Sequence, residues 1–266
     1  KRIPQMRPES HAGDAHHEMM CQALSLCVVH VFLLFLPTLA FADRPAGVEL
    51  TRLDGWQIVV SDEAIPSEQY AAGEFQTWIK MATGIKLPIV NDAKSATQNI
   101  FIGDSPSLQS SQLAFVLEQD YGDEDLRFVI KRENIAIVGG RPRGVLYAVY
   151  QFLEDIVGIR FLTADHIHVP QFNSTQQTTA DGLLRSFARE IDYTYRPPME
   201  FRLAYYREAL SAPYFSARLR LNGWARSMHK LDKNDIERAG GHSRGGLIVH
   251  SINGWLDQSF EDHPEY

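Results

Sequence analysis

Two arginines in a glycine-rich turn are the side chains of this chain best placed, by type and spacing, to do chemistry. The run Gly139-Gly140-Arg141-Pro142-Arg143-Gly144 precedes a stretch of helical periodicity. Backbone N–H groups at a helix start, together with Arg141 and Arg143, suit a carboxylate or phosphate, which makes the turn a candidate anion site. The same residues also read as a sharp turn whose arginines are solvated or paired with a neighbouring acid. Both readings stand on the sequence. Dinucleotide and P-loop chemistry is excluded, because there is no G-x-G-x-x-G and no Lys-Ser/Thr closes the loop. His166 and His168 alternate along a strand, and His229, His242, His250 and His263 show no H-E-x-x-H or other ligand spacing, so no metal is expected. The only cysteines are Cys21 and Cys27, both in an N-terminal apolar segment, which leaves no thiolate chemistry beyond it. Glu200, Glu208, Asp232, Asp235, Glu237 and Asp257 read as solvated surface charges.

The elements that position these groups follow from periodicity. Asn134–Val138 is β-branched and apolar between polar neighbours and predicts a buried strand. From Gly144 onward Val145, Leu146, Val149, Phe152, Leu153 and Ile156 form a stripe of period 3.6, closed by Gly158. Upstream, Trp56–Val60 predicts a strand, and Glu68–Ala82 a helix with Ser67 as its cap and Gly84 as its stop. Ala71, Phe75, Trp78 and Ala82 share one face of that helix and read as core. Strands are expected at Leu87–Val90 and Asn99–Gly103, a short helix near Ser107–Leu117, and a hairpin of Leu126–Lys131 with Asn134–Val138. This order describes an α+β fold, a mixed sheet with helices on one face, over residues 47–170. Residues 171–200 are polar, end in Arg196-Pro197-Pro198, and read as a connector.

Phe201–Tyr206, Ser211–Arg220 and Leu221–Arg226 then read as strand, helix and strand, the opening of a (β/α)₈ barrel. A complete barrel takes about 250 residues, so residues 201–266 are expected to hold only its truncated beginning.

The chain has 266 residues, of which 44% are hydrophobic, with a net charge of −7. That balance argues against a general nucleic-acid binder and against binding to an anionic membrane surface. Residues 1–42 read as a leader and signal peptide: an apolar run from Ala23 ends in Ala40-Phe41-Ala42, a small-x-small pattern that predicts cleavage after Ala42. An uncleaved membrane anchor is the alternative reading. The expectation is a secreted or periplasmic protein, with no membrane association after cleavage.

The stretch Gly139–Glu154 resembles a signature of the N-terminal domain of family 67 glycoside hydrolases, the α-glucuronidases. Trp56–Val60 with its following helix fits as well. Val249-His250-Ser251 and Asp262-His263-Pro264-Glu265-Tyr266 are similar to a bacterial group whose domain on the catalytic side is uncharacterised. The resemblance covers roughly residues 50–266. It implies an accessory α+β domain ahead of a barrel, hydrolysis of an O-glycosidic bond in a polysaccharide, and no cofactor. It also implies that the catalytic carboxylates lie on later barrel strands, so this chain is expected to be inactive alone.

Substrate contacts are expected at the C-terminal ends of barrel strands. Tyr206 and Arg207 would close the first strand, and Arg226 and His229 the second. Arg202 would point inward, and His250 would sit in the glycine-rich excursion roofing that face. An arginine suits a uronate carboxylate, and a tyrosine stacks on a sugar ring. Each of these residues also reads as loop packing or a surface ion pair. Two further readings remain: a non-catalytic carbohydrate-binding or cell-surface protein, and a packing domain that buttresses a barrel. In the last case loss of Arg141 and Arg143 would change stability without changing sugar affinity.

Overall fold

A computed structural model describes residues 46–95, 97–172, 186–204, 206–223 and 232–241. The centre is a six-stranded mixed sheet. Its strands are β2 (Gln57–Val59), β3 (Ile89–Val90), β4 (Asn99–Ile102), β5 (Leu126–Lys131), β6 (Asn134–Gly139) and β10 (Ile191–Tyr195), in the order β10-β5-β6-β4-β2-β3. β6, β4, β2 and β3 run parallel, whereas β5 is antiparallel to both β6 and β10. Two small antiparallel pairs complete the strands: β1 (Gly47–Glu49) with β9 (Phe187–Arg189), and β7 (Arg160–Phe161) with β8 (Ile167–His168).

The strands read as continuous apolar runs because both sheet faces are buried. Ile58, Ile100, Ile102, Ile135 and Ile137 face the main core under two helices, α1 (Pro66–Thr83) and α3 (Gly144–Phe152). The alternate residues Val59, Phe101, Val129, Ala136 and Val138 face a second cluster with Leu108, Leu113 and Val116. Those three come from the short helix α2 (Pro106–Gln109), the loop after it and a 3₁₀ turn at Ala114–Glu118. Both long helices lie on one face, as the apolar stripes require; the opposite face is covered too, by shorter pieces.

The start of α1 corrects one detail. Pro66 opens the helix, and the Glu68 carboxylate accepts the Ile65 N–H at 3.1 Å. Ser67 therefore sits inside the first turn and donates its hydroxyl to the Pro142 carbonyl at 2.7 Å. At the other end Gly84, at φ +80°, supplies the left-handed stop.

Two larger differences lie downstream. The segment read as a connector contains β9 and β10, and β10 extends the main sheet at its edge. No barrel forms among the described residues. Residues 201–204 and 221–223 lie side by side, with the Asn222 and Gly223 N–H groups donating to the Arg202 carbonyl at 3.2 and 3.0 Å, but neither piece is a strand. Between them stand two short helices, α4 (Arg207–Ser211) and α5 (Pro213–Arg218), followed later by α6 (Lys233–Arg238). Among the described residues no helix is long and apolar enough to cross a membrane. The expected leader and cleavage site, residues 1–42, lie outside the described residues.

Candidate functional site

The glycine-rich turn is built by close approach of two backbones. The Gly140 N–H donates to the Asp125 carbonyl at 2.9 Å, and the Arg143 and Gly144 N–H groups to the Asp123 carbonyl at 3.3 and 3.1 Å. A Cβ on Gly140 would collide with the Gly122 carbonyl, and one on Gly144 with the Asp125 carbonyl. Glycine at these positions is therefore what lets the loop Gly122–Asp125 lie on the turn, and this brings Glu124 to Arg143.

Glu124 is the centre of a buried ionic knot. Its Oε1 accepts from Arg143 Nε at 2.6 Å and from Asn222 Nδ2 at 2.6 Å, and its Oε2 accepts from Arg202 Nη2. Arg202 spends its remaining donors on the carbonyls of Arg220 at 2.9 Å and Met199 at 2.6 Å. Arg143 also reaches the Gly240 carbonyl at 3.3 Å. The charges of this group are answered by a carboxylate and backbone carbonyls of the same chain, which is the arrangement buried ions require.

A second carboxylate, Glu74 on α1, plays the same part for α5. Its Oε2 accepts from Trp78 Nε1 at 3.1 Å, Tyr150 OH at 2.9 Å and Arg218 Nη2 at 3.2 Å. The Arg218 guanidinium also lies 5.2 Å from the Trp78 ring and 5.4 Å from Phe161, within cation–π range. Burial first, and the Glu74 charge second, push the Tyr150 phenol well above its ordinary range. Burial and then Glu124 raise Tyr147, whose hydroxyl donates to the Leu221 carbonyl at 2.9 Å. Arg220 pairs with Glu154.

Tyr147 and Tyr150 stand on one face of α3, Arg143 is the residue that precedes its first turn, and Glu154 lies in the π-helical turn Leu153–Val157 that continues it. All four reach toward the segment 202–222, directly or through Glu124 and Glu74.

The expected site residues are thus placed as follows. Arg143 is buried in the knot. Arg141 makes a bidentate pair with Glu68 at 2.9 and 3.0 Å, and Glu68 is itself buried. Both guanidinium groups of the turn meet carboxylates of the chain, which corresponds to the ion-paired reading and not to an open anion site. Arg202 joins the knot and does not project into a barrel interior. Tyr206 is exposed, and Arg207 opens α4. Arg226, His229 and His250 lie outside the described residues.

Glu74, Glu124 and Asn222 were not singled out by sequence reasoning. Glu124 stands in the acidic run Asp120–Asp125, which looks like a solvated loop, and its partners are 19, 78 and 98 positions away. No local spacing encodes such a group.

A separate cleft of about 930 Å³ opens outside the carboxyl ends of β2, β3, β4 and β6. Its lining includes Asp62, Asn91, Asp104, Gln109 and Tyr121, with the Arg141–Glu68 pair on one wall. From β2 the chain passes through α1 to β3 on one side of it, then returns to β4 on the other. The cleft thus lies where strand order reverses, the place at which parallel sheets commonly bind ligands.

No protein-family model matches the sequence, and no curated protein matches it. Two solved structures, both glycoside hydrolases, are similar at low levels. A GH20 beta-N-acetylhexosaminidase from Streptomyces coelicolor A3(2) is 17% identical with a TM-score of 0.35, over 60% of this chain and 25% of its own. A GH115 4-O-methyl-alpha-glucuronidase with specificity for decorated arabinogalactans is 11% identical with a TM-score of 0.44, over 77% of this chain and 34% of its own. The chain spans about a quarter to a third of the length of these proteins.

Proposed function

We propose that this chain is the N-terminal portion of an exported glycoside hydrolase of α-glucuronidase-like type. In this reading the mixed-sheet domain holds the start of the catalytic domain in place. The observation that carries the reading is the face Arg143, Tyr147, Tyr150 and Glu154 on the helix that bears the glycosidase-like signature. Tyr147 and Glu154 bond Leu221 and Arg220 directly, and Arg143 and Tyr150 reach Asn222, Arg202 and Arg218 through Glu124 and Glu74. A signature devoted to docking accounts for the buried, ion-paired Arg143 without asking it to touch sugar. Catalysis then belongs to carboxylates outside the described residues, with a polysaccharide as substrate.

The test is digestion of glucuronoxylan by the product of the complete reading frame, reading uronic acid release by chromatography. Release that disappears with the chain of residues 1–266 alone supports the reading. Binding without any bond cleavage by the complete product removes the hydrolase and leaves a carbohydrate-binding or cell-surface protein.

A further inference from the structure

We infer that the cleft at the carboxyl ends of β2, β3, β4 and β6 is a binding site for a neutral oligosaccharide, distinct from any hydrolytic centre. The inference rests on the carbohydrate-active reading and deepens it by naming what the accessory domain itself would hold.

The argument starts from the donor and acceptor pattern. A sugar hydroxyl both donates and accepts, so a diol is held best by an acceptor and a donor side by side. The cleft presents such couples. Asn91 Nδ2 donates to Asp62 Oδ1, and Gln109 Nε2 donates to Asp104 Oδ1 at 2.9 Å. Each couple keeps one carboxylate oxygen, one amide hydrogen and the amide oxygen for a ligand. All four side chains are exposed; Asp62, Asn91 and Asp104 stand on loops that follow strands and Gln109 ends α2, so they are held by the fold while reaching solvent. The half-buried ring of Tyr121 lines the same cleft, fixed by its hydroxyl to the Val116 carbonyl at 2.7 Å. A fixed aromatic ring beside planar polar groups is suited to the apolar face of a sugar.

Charge then decides which sugars fit. The lining carries five carboxyl side chains and one guanidinium, that of Arg141, which Glu68 already engages on two nitrogens. A uronate or phosphate would meet repulsion with no open cation to answer it. Among the described residues no three His, Cys, Asp or Glu side chains gather around one point. The volume suits a few sugar rings. In a protein acting on decorated polysaccharide, such a site would hold undecorated backbone and leave the acidic branch to the catalytic domain.

The experiment is calorimetry on the whole chain with xylohexaose, cellohexaose, an oligogalacturonate and a chitosan oligomer of similar length. Xylohexaose or cellohexaose is expected to bind with a dissociation constant of about a millimolar or tighter. Binding should weaken about tenfold or more in the double variant Asp104→Ala, Gln109→Ala, since two hydrogen-bonding groups are lost. The oligogalacturonate should bind at least about tenfold more weakly than the neutral oligomer at low salt. Both substituted residues are exposed, and amide spectra of the variant check that the sheet is intact. Absence of heat with both neutral oligomers overturns the site, as does unchanged affinity in the variant. A chitosan oligomer that binds tenfold better than xylohexaose overturns the neutral preference. Hydrolysis by the complete product is read separately, so an inactive enzyme and an empty cleft are distinguishable outcomes.

Discussion

Substituting Glu124 by alanine should undock the segment 202–223 before it unfolds the sheet. Glu124 is 9% exposed and answers two cations, Arg143 at 5% and Arg202 at 18% side-chain exposure, together with the Asn222 amide. Breaking a buried pair from one side strands the other charge, at a cost of about 3–5 kcal/mol. In a domain of this size each kcal/mol lowers Tm by about 2–4 °C, so the expected loss is about 6–20 °C. Glu124→Gln keeps the side-chain length and one acceptor oxygen but removes the charge, and should fall between the alanine variant and the wild type. Calorimetry gives the size of the loss, and native-state hydrogen exchange gives its location. The Asn222 and Gly223 amides, which bond to the Arg202 carbonyl, should lose protection at least about tenfold, whereas β4 and β6 amides keep theirs. A Tm within about 2 °C of wild type would falsify the knot as a docking element. Uniform loss of protection across β4, β6 and Asn222 would show instead that Glu124 supports the whole domain and does not act as a clamp.

Arg218→Lys keeps the charge opposite Glu74 but loses the guanidinium packed against Trp78 and Phe161, which should cost about 1–2 kcal/mol. Tryptophan fluorescence and Tm report it; an unchanged Tm refutes the stacking argument. Burial raises the phenols of Tyr70, Tyr147 and Tyr150 above their ordinary value near 10. The unfolded chain releases these protons first as pH rises, so stability present below pH 10 is lost progressively above it. Phenolate absorbance during alkaline titration should therefore lag and then rise together with unfolding; early ionisation in the native protein would contradict the burial of these rings.

Much of the scaffold is legible in the sequence. The hairpin of β5 and β6, the buried strand β4 and the helix α1 with its glycine stop all follow from period and punctuation. Their signals are local: alternation, a 3.6-residue stripe, a left-handed glycine. β10 was readable only in part. Ile191, Tyr193 and Tyr195 are strand formers, but the strand is an edge with little burial, so its apolar contrast is weak. Among the described residues of 201–226 no strand forms, for a different reason. Phe201–Ala204 has strand-like residues, yet its backbone meets only the short piece at Asn222–Gly223, and a strand needs a continuous partner to count as one.

The candidate site shows the same division more sharply. Arg141 and Arg143 stand two residues apart in one turn, and the sequence left them as anion ligands or paired charges. What decides between these readings is the position of Glu68 and Glu124, 73 and 19 residues away, which only the fold supplies. The turn itself is pinned at three points: by Ser67 on the Pro142 carbonyl, by Asp125 on the Gly140 N–H, and by Asp123 on the Arg143 N–H. With the backbone so held, the two guanidinium groups cannot exchange partners. Arg141 is committed to the wall of the cleft, and Arg143 to the docking face. One turn thus belongs to two sites of opposite character: one closed on itself by buried charge, the other open and lined with acceptors. A change that frees Arg143 should therefore weaken docking and leave the electrostatics of the cleft as they are.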